Sequence, residues 1–452
     1  MNTPIADFID TYKKSGTARL HMPGHKGTGP LGLESSDITE IHGADVLYHA
    51  EGIIRESEKN ASALFGSGAT YYSTEGSSLC IRVMLRLFQI RSCASHPEKR
   101  THVLAFRNVH ASFIHACALL DIDVTFVCPK DGSPLLSCLI EKADLEEQIL
   151  SLEDKPDALF VTSPDYLGNI QDISEMAELC RKYGMLLLCD NAHGAYLRFD
   201  GSFRHPLCLG ADMCCDSAHK TLPVLTGGAY LHLSAGCAAS LESDVERSFR
   251  LFASTSPSYL VLKSLDLCNK LLSEDYPQKI QKAEACVKSL KEQLGSLGFE
   301  LVGNEDLKVT IRATSYGYSG TEIASYLRRC GIECEMADPD YIVFMFAPGN
   351  NVTDYKKLAD SLSLLPKKAE IRSPAFTFKR GPGAVSLRQA LLGNSTELPV
   401  KEALGHILSD ALISCPPAVP ILICGELVTE DDIRKMLYYG IESCHVLSDT
   451  DD

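Results

Sequence analysis

From about residue 55 to residue 235, short apolar runs alternate with stretches of helical spacing. The runs HVLAF (102–106), VTFVC (124–128), ALFVT (158–162), MLLLC (185–189) and ADMCC (211–215) show no in–out alternation. A strand with apolar side chains on both faces is buried on both faces, as in a parallel sheet covered by helices. IRESEKNASALFG and SSLCIRVMLRLFQIR ahead of the first run, and SFIHACALL and EMAELCRKYG between the runs, repeat apolar residues at helical intervals. GGAYLHL (227–233) supplies one more strand. The pattern predicts an α/β domain with a mostly parallel sheet and right-handed crossovers. Ligand groups in such a sheet gather beyond the carboxyl ends of the strands.

The flanking segments are organised differently. Residues 1–35 open with a short helical pattern and become Gly/Pro-punctuated in LHMPGHKGTGPLG, which predicts an N-terminal arm. Residues 36–275 make the large domain. Two long helices (256–272 and 278–298) lead out of it. LKVTIRA, TEIASYLRRCG, IECEMAD and YIVFMFAP then give a β-α-β-β pattern, a smaller α+β domain over 276–365. A Lys/Pro/Arg-rich connector, Pro366 to Gly383, opens a C-terminal domain over 366–452 that contains CPPAVPILICGE. The acidic end, Ser448 to Asp452, reads as a frayed tail.

Charge and cysteine usage exclude several classes. The net charge is -16, which repels phosphate backbones and makes nucleic acid a poor partner. No run approaches the ~20 apolar residues of a membrane span, and the charged N-terminus lacks a signal-peptide core. Many of the 18 cysteines, among them Cys128, Cys189, Cys214, Cys215 and Cys424, sit inside apolar runs as small core residues. No Cys-x-x-Cys pair occurs, so no zinc or redox motif is signalled. These features predict a cytoplasmic protein without a membrane or metal site.

Two strand ends carry the chemistry. CDNAHG (189–194) closes an apolar strand with Asp190, and DSAHKTL places Lys220 just beyond the next strand, ADMCC. A lysine amine and a carboxylate in one pocket suit pyridoxal phosphate. The amine bonds the cofactor aldehyde, and the carboxylate keeps the pyridine nitrogen protonated. The same two residues also fit an exposed lysine and a helix-capping aspartate. In EGSSLCIRVML, Gly76, Ser77 and Ser78 stand where a helix begins, and free N–H groups there can hold a phosphate; an ordinary serine cap is the plain alternative. His110 follows the HVLAF strand in FRNVHASF, where an imidazole can stack on a pyridine ring or serve structure alone.

With these residues in line, the sequence resembles the ornithine/lysine/arginine decarboxylases of the aspartate-aminotransferase fold (fold type I). HMPGHKG (21–27) is similar to that family's N-terminal signature. FGSGATYYSTEGSS, RNVHASF, SPDYLGNIQD, DNAHGAYL, SAHKTLPVLTGG and STSPSYLVLKSLD are similar to family blocks. CPPAVPILICGE resembles the C-terminal PPGIP-PGE element. The receiver-like N-terminal domain of the longer members does not precede the arm in this sequence.

The resemblance implies pyridoxal 5'-phosphate as cofactor and decarboxylation of lysine, arginine or ornithine to the amine and carbon dioxide. Lys220 would bond the aldehyde, Asp190 would face the ring nitrogen, and His110 would stack on the ring. Ser77, Ser78, Ser217 and His219 would surround the phosphate or its neighbourhood. Ala192 would lie on the opposite face, and His219 or Lys220 would return a proton to the α-carbon. Thr255 and Ser256 would reach the partner's cofactor in a homodimer with shared sites. A cationic side chain calls for a carboxylate, and Glu51 in YHAEGII and Asp165 in SPDYLG are the candidates. Helix capping by Glu51 and turn formation by Asp165 are the structural alternatives.

The sequence also departs from the family pattern. Asn191 stands where the family has Glu (DEAHG), and Ala111 where it has Lys. SLRQ around Arg388 replaces an SPRE-type element, and PAVP (417–420) replaces PGIP. Two other functions therefore stay open. One is another fold-type-I enzyme, an aminotransferase or lyase, with Arg388 as the clamp on the α-carboxylate. The other is a catalytically silent, cofactor-binding assembly protein.

Overall fold

A computed structural model describes residues 1–95, 97–129, 132–376, 385–413 and 418–448. The end of the predicted connector (377–383), the residues Cys415 to Pro417 and the tail 449–452 lie outside the described residues.

In chain order the helices are α1 (Pro4–Lys14), α2 (Ile53–Phe65), α3 (Gly76–Ser95), α4 (Ala111–Leu120), α5 (Lys142–Ser151), α6 (Ile173–Tyr183), α7 (Ala218–Thr221), α8 (Ala235–Phe252), α9 (Tyr259–Ser273), α10 (Tyr276–Ser296), α11 (Gly320–Arg329), α12 (Val352–Ser363), α13 (Leu387–Leu392) and α14 (Glu430–Tyr438). The strands are β1 (Ala69–Ser73), β2 (His102–Phe106), β3 (Asp123–Val127), β4 (Ala158–Thr162), β5 (Leu186–Asp190), β6 (Met213–Asp216), β7 (Ala229–Leu233), β8 (Leu301–Val302), β9 (Lys308–Arg312), β10 (Met336–Ala337), β11 (Tyr341–Met345), β12 (Ser395–Pro399), β13 (Leu412–Ile413), β14 (Pro420–Leu422) and β15 (Ser443–Leu447). The chain has the α/β architecture that the alternation predicts.

Two compact units interleave along the sequence. The first comprises residues 1–99 and 173–281, the second residues 100–172 and 282–452. In the first unit the strands run in the order β1-β7-β6-β5. β5 and β6 are parallel, whereas β7 is antiparallel to both β6 and β1. β6 and β5 are buried along their whole length, which is why their residues show no alternation. Cys189, Cys214 and Cys215 fill this interior, and burial pushes their thiols well above the ordinary cysteine range, so they act as apolar side chains.

In the second unit β4, β2 and β3 are parallel, with Leu104 paired to both Leu159 and Thr125. The predicted β-α-β-β segment forms an antiparallel sheet, β10-β11-β9-β8, with the short β8 as an added edge. β12 pairs with β15, and β13 with β14. A core containing Leu135, Leu167, Met336, Val343, Ile421 and Val446 joins these pieces inside the unit. Cys128, expected inside a strand, lies just past the end of β3 and is half-buried. Among the described residues, no helix is long and apolar enough to cross a membrane.

One carboxylate fixes the N-terminal helix in the first unit. Asp266, on α9, is fully buried. Its Oδ2 accepts from the Ala6 N–H at 2.9 Å, and its Oδ1 from the Ser57 hydroxyl at 2.6 Å. These bonds join α1, α2 and α9. Asp266→Ala strands both donors in an apolar interior. The expected loss is about 1–3 kcal/mol of stability with faster proteolysis within residues 1–14, read by chemical denaturation and limited digestion.

Candidate active site

The register of β5 against β6 sets the geometry of the first unit's site. Asp190 is the last residue of β5 and pairs with Cys215, so β6 ends one residue later at Asp216. Ser217 follows, then the short helix α7 with Ala218, His219, Lys220 and Thr221. Asp190 and the Lys220 turn therefore leave adjacent parallel strands at the same end.

Asp190 is only 3% exposed. Its Oδ1 accepts from the Ala192 N–H at 3.2 Å and meets the Cys215 thiol at 3.7 Å. Among the described residues no hydrogen bond reaches Oδ2. Burial pushes the Asp190 carboxyl up from its usual range, against the opposing pull of the Lys220 charge. Lys220 Nζ lies 3.0 Å from His193 Nε2. His193 is buried, and the sequence reading passed over it although DNAHG contains it. His219 Nδ1 donates to the Gly228 carbonyl at 2.9 Å, which leaves Nε2 with its lone pair; burial lowers the pKa of this ring.

Facing groups come from the start of α3. The Ser217 hydroxyl donates to the Ser77 oxygen at 2.8 Å. Gly76 has φ +73°, and a Cβ built on it would meet no atom within 4 Å. The left-handed backbone suits glycine, and the space over this turn is open. Ser77 and Ser78 are half-buried there, at a helix end whose first N–H groups have no intrahelical acceptor. An anion is the natural complement of such a terminus.

Glu51 and Thr255 are the first unit's other candidates. Glu51 is exposed, and α2 is capped instead by Asp45, whose Oδ2 accepts from the Gly52 and Ile54 N–H groups at 2.8 and 3.0 Å. Thr255 is exposed beyond α8, next to Ser254, whose N–H donates to Glu75 Oε1 at 2.8 Å. His110, Asp165 and Arg388 belong to the second unit. His110 caps α4, its Nδ1 accepting from the Ser112 N–H at 3.1 Å, so the ring is fixed in orientation. Asp165 is buried and receives the Asn169 N–H on Oδ1 and the Asn169 side-chain amide on Oδ2, both at 2.9 Å. Burial pushes its carboxyl up while Ser137 and Asn169 oppose the shift. Arg388 donates to the carbonyls of Ala118 and Leu119 at 3.1 and 3.0 Å.

The fold is that of the fold-type-I pyridoxal-phosphate enzymes. Residues 3–297 match the family model described as Orn/Lys/Arg decarboxylase, major domain, and the chain belongs to that family. The arginine decarboxylase of Bacillus subtilis (strain 168) is 27% identical over 95% of this chain and 92% of its own length. An uncharacterised protein of the same organism, YaaO, is 28% identical over 96% and 94%. The constitutive lysine decarboxylase of E. coli has the same fold, with a TM-score of 0.77 and 16% identity over 99% of this chain and 82% of that one. The protein is thus an enzyme, a carboxy-lyase that uses pyridoxal 5'-phosphate to convert a basic amino acid to its amine and carbon dioxide. The residues present fit that cofactor: a buried carboxylate whose Oδ2 takes no hydrogen bond among the described residues, a lysine amine beyond the neighbouring strand, and an open glycine turn at a helix terminus.

Arg107 and the C-terminal segment form a contact that the sequence reading missed. The Arg107 guanidinium is buried and donates to the carbonyls of Pro420 and Ile421 at 2.8 and 2.9 Å. The Ala111 N–H donates to the Ala418 carbonyl at 2.8 Å. Within the second unit, the turn carrying His110 is thereby tied to β14. Arg107→Met, similar in length but without donors, leaves two buried carbonyls unbonded. Thermal denaturation should show a loss of about 2–4 kcal/mol, and hydrogen exchange should quicken over residues 418–422.

Proposed function

We propose that Lys220 and Asp190 are the cofactor-bonding lysine and the ring-nitrogen carboxylate of an arginine-preferring decarboxylase. The observation that carries the reading is the strand-end pairing. Asp190 ends β5 and Lys220 follows β6, on parallel neighbours, with the lysine charge acting on a buried carboxylate. Bound pyridoxal phosphate would supply the electron-withdrawing ring that loss of the substrate carboxylate needs.

The protein groups do the rest. Asp190 Oδ2 holds a proton at the ring nitrogen, and its burial strengthens that pairing. His193 Nε2, 3.0 Å from Lys220 Nζ, takes a proton from the amine and leaves it nucleophilic. Ser77, Ser78, Ser217 and the first N–H groups of α3 bind the phosphate. His219 Nε2 carries the lone pair needed to hold the proton that Cα later receives. Buried Ala192, Asn191 and Cys215 exclude water from this end of the sheet, which favours loss of the charged carboxylate.

Arginine is placed first because the relatives that match over almost the whole chain include arginine decarboxylases from several Bacillus species. The reading extends to a homodimer with shared sites. Its support is the run of exposed apolar side chains in the arm, Leu20, Met22, Leu31 and Leu33, together with the exposed Thr255 and Ser256.

The test is carbon dioxide and amine release from arginine, lysine, ornithine and a neutral analogue of similar length, with added pyridoxal phosphate. Arginine should lead in kcat/KM, and the neutral analogue should trail by about 10²-fold, the value of a charge pair in a partly desolvated pocket. Faster turnover of a neutral or acidic amino acid would overturn the substrate assignment.

A further inference from the structure

Asp216 has no task in the chemistry above, yet its buried carboxylate is engaged by several side chains. It is the last residue of β6 and is 0% exposed. Three side chains converge on it. Asn191 Nδ2 donates to Oδ1 at 2.7 Å. His205 Nε2 and His232 Nε2 lie 2.9 and 3.2 Å from Oδ2. The ionised Asp216 can only accept, so His232 donates from Nε2, and its Nδ1 accepts from the Thr70 hydroxyl at 2.8 Å.

Electrostatics agree with an ionised centre. Burial pushes the Asp216 carboxyl up, but His205 and His232 outweigh it and hold the group below the usual carboxylate range. Burial lowers the pKa of His232, so that ring serves as a neutral donor. Cys214 lies close to His205 and Asp216, but its thiol is pushed well up by burial and three side-chain donors already engage the carboxylate. The cluster is a hydrogen-bond hub rather than a cation site.

The hub has a particular place in the chain. Asn191 directly follows Asp190, and its backbone N–H also donates to the Cys215 carbonyl at 2.9 Å. Ser217 directly follows Asp216, and Lys220 is one turn further on. We propose that Asp216 is a positioning residue that locks the Asp190 turn to the Ser217–Lys220 turn, and that asparagine at 191 is the residue this carboxylate requires. The inference rests on the reading that those two turns hold the cofactor. It accounts for the departure at 191. The glutamate of the family pattern would set a second carboxylate against Asp216 in a dry interior, whereas an amide offers a donor.

The test compares Asn191→Asp, Asp216→Asn and the swapped double variant. Apo protein is titrated with pyridoxal phosphate, and kcat and KM are measured on the best cationic substrate. Each single change should weaken cofactor affinity about tenfold or more and lower kcat with little change in KM. The swap restores one carboxylate and one amide, so it should recover most of both losses. Single variants with wild-type affinity and kcat, altered only in melting temperature, would make Asp216 merely structural and overturn the proposal. So would a double variant that loses the sum of the two. If Asn191→Asp does not fold, Asn191→Ala removes the donor without adding charge, and wild-type affinity and kcat in that variant overturn the proposal equally. Failure of the cofactor reading shows separately, as absence of pyridoxal-phosphate binding by the wild-type protein.

Discussion

The parallel pairing of β5 with β6 places the chemistry of this protein. Leu188 faces Met213, Cys189 faces Cys214 and Asp190 faces Cys215. A slip of one residue would turn every side chain of β5 to the other face of the sheet. Asp190 would then leave the side on which the Lys220 turn emerges. The register is held by backbone bonds beyond the strands as well, since the Asn191 N–H reaches the Cys215 carbonyl and the Asp212 N–H the Leu187 carbonyl, each at 2.9 Å. Apolar burial along both strands supplies the driving force, and the polar hub at Asp216 selects among registers. A buried ionic cluster adds little net stability on its own, so specificity is the more natural reason for its presence.

The polar groups of the first unit fall into two kinds. Asp216 and Asp266 are saturated by protein donors and hold elements together. Asp190, equally buried, has one oxygen that no described residue bonds. That contrast supports the proposed role of Asp190, and it is invisible in the sequence, where all three are aspartates beside apolar residues. The second unit repeats the distinction in another form. Asp165 and Arg388, both attractive as substrate-binding residues on paper, spend their hydrogen bonds on a turn and on the end of α4.

Much of the fold could be read before the structure. β2, β4 and β7 coincide with HVLAF, ALFVT and AYLHL because strands buried on both faces leave an unbroken apolar run. α2, α9 and α11 follow their helical spacing. β1 was harder to find, since ATYYS mixes small polar and aromatic residues and owes its strand state to pairing with β7. The C-terminal pairings were illegible for a related reason: β12 and β15 are far apart in sequence and rely on each other. In the site, strand-end positions for Asp190 and Lys220 followed from local pattern. His193, Asn191 and Asp216 did not, because their roles depend on which strand lies beside which. Asp216 did leave one local trace, a charged residue closing the apolar run MCC.

The central claim is that Lys220 carries the cofactor. Borohydride reduction of the protein loaded with pyridoxal phosphate, followed by peptide mapping, tests it directly. The account predicts a single stable pyridoxyl adduct on the peptide containing Lys220, absent from Lys220→Ala. An adduct on another lysine, or one that persists in Lys220→Ala, would contradict it.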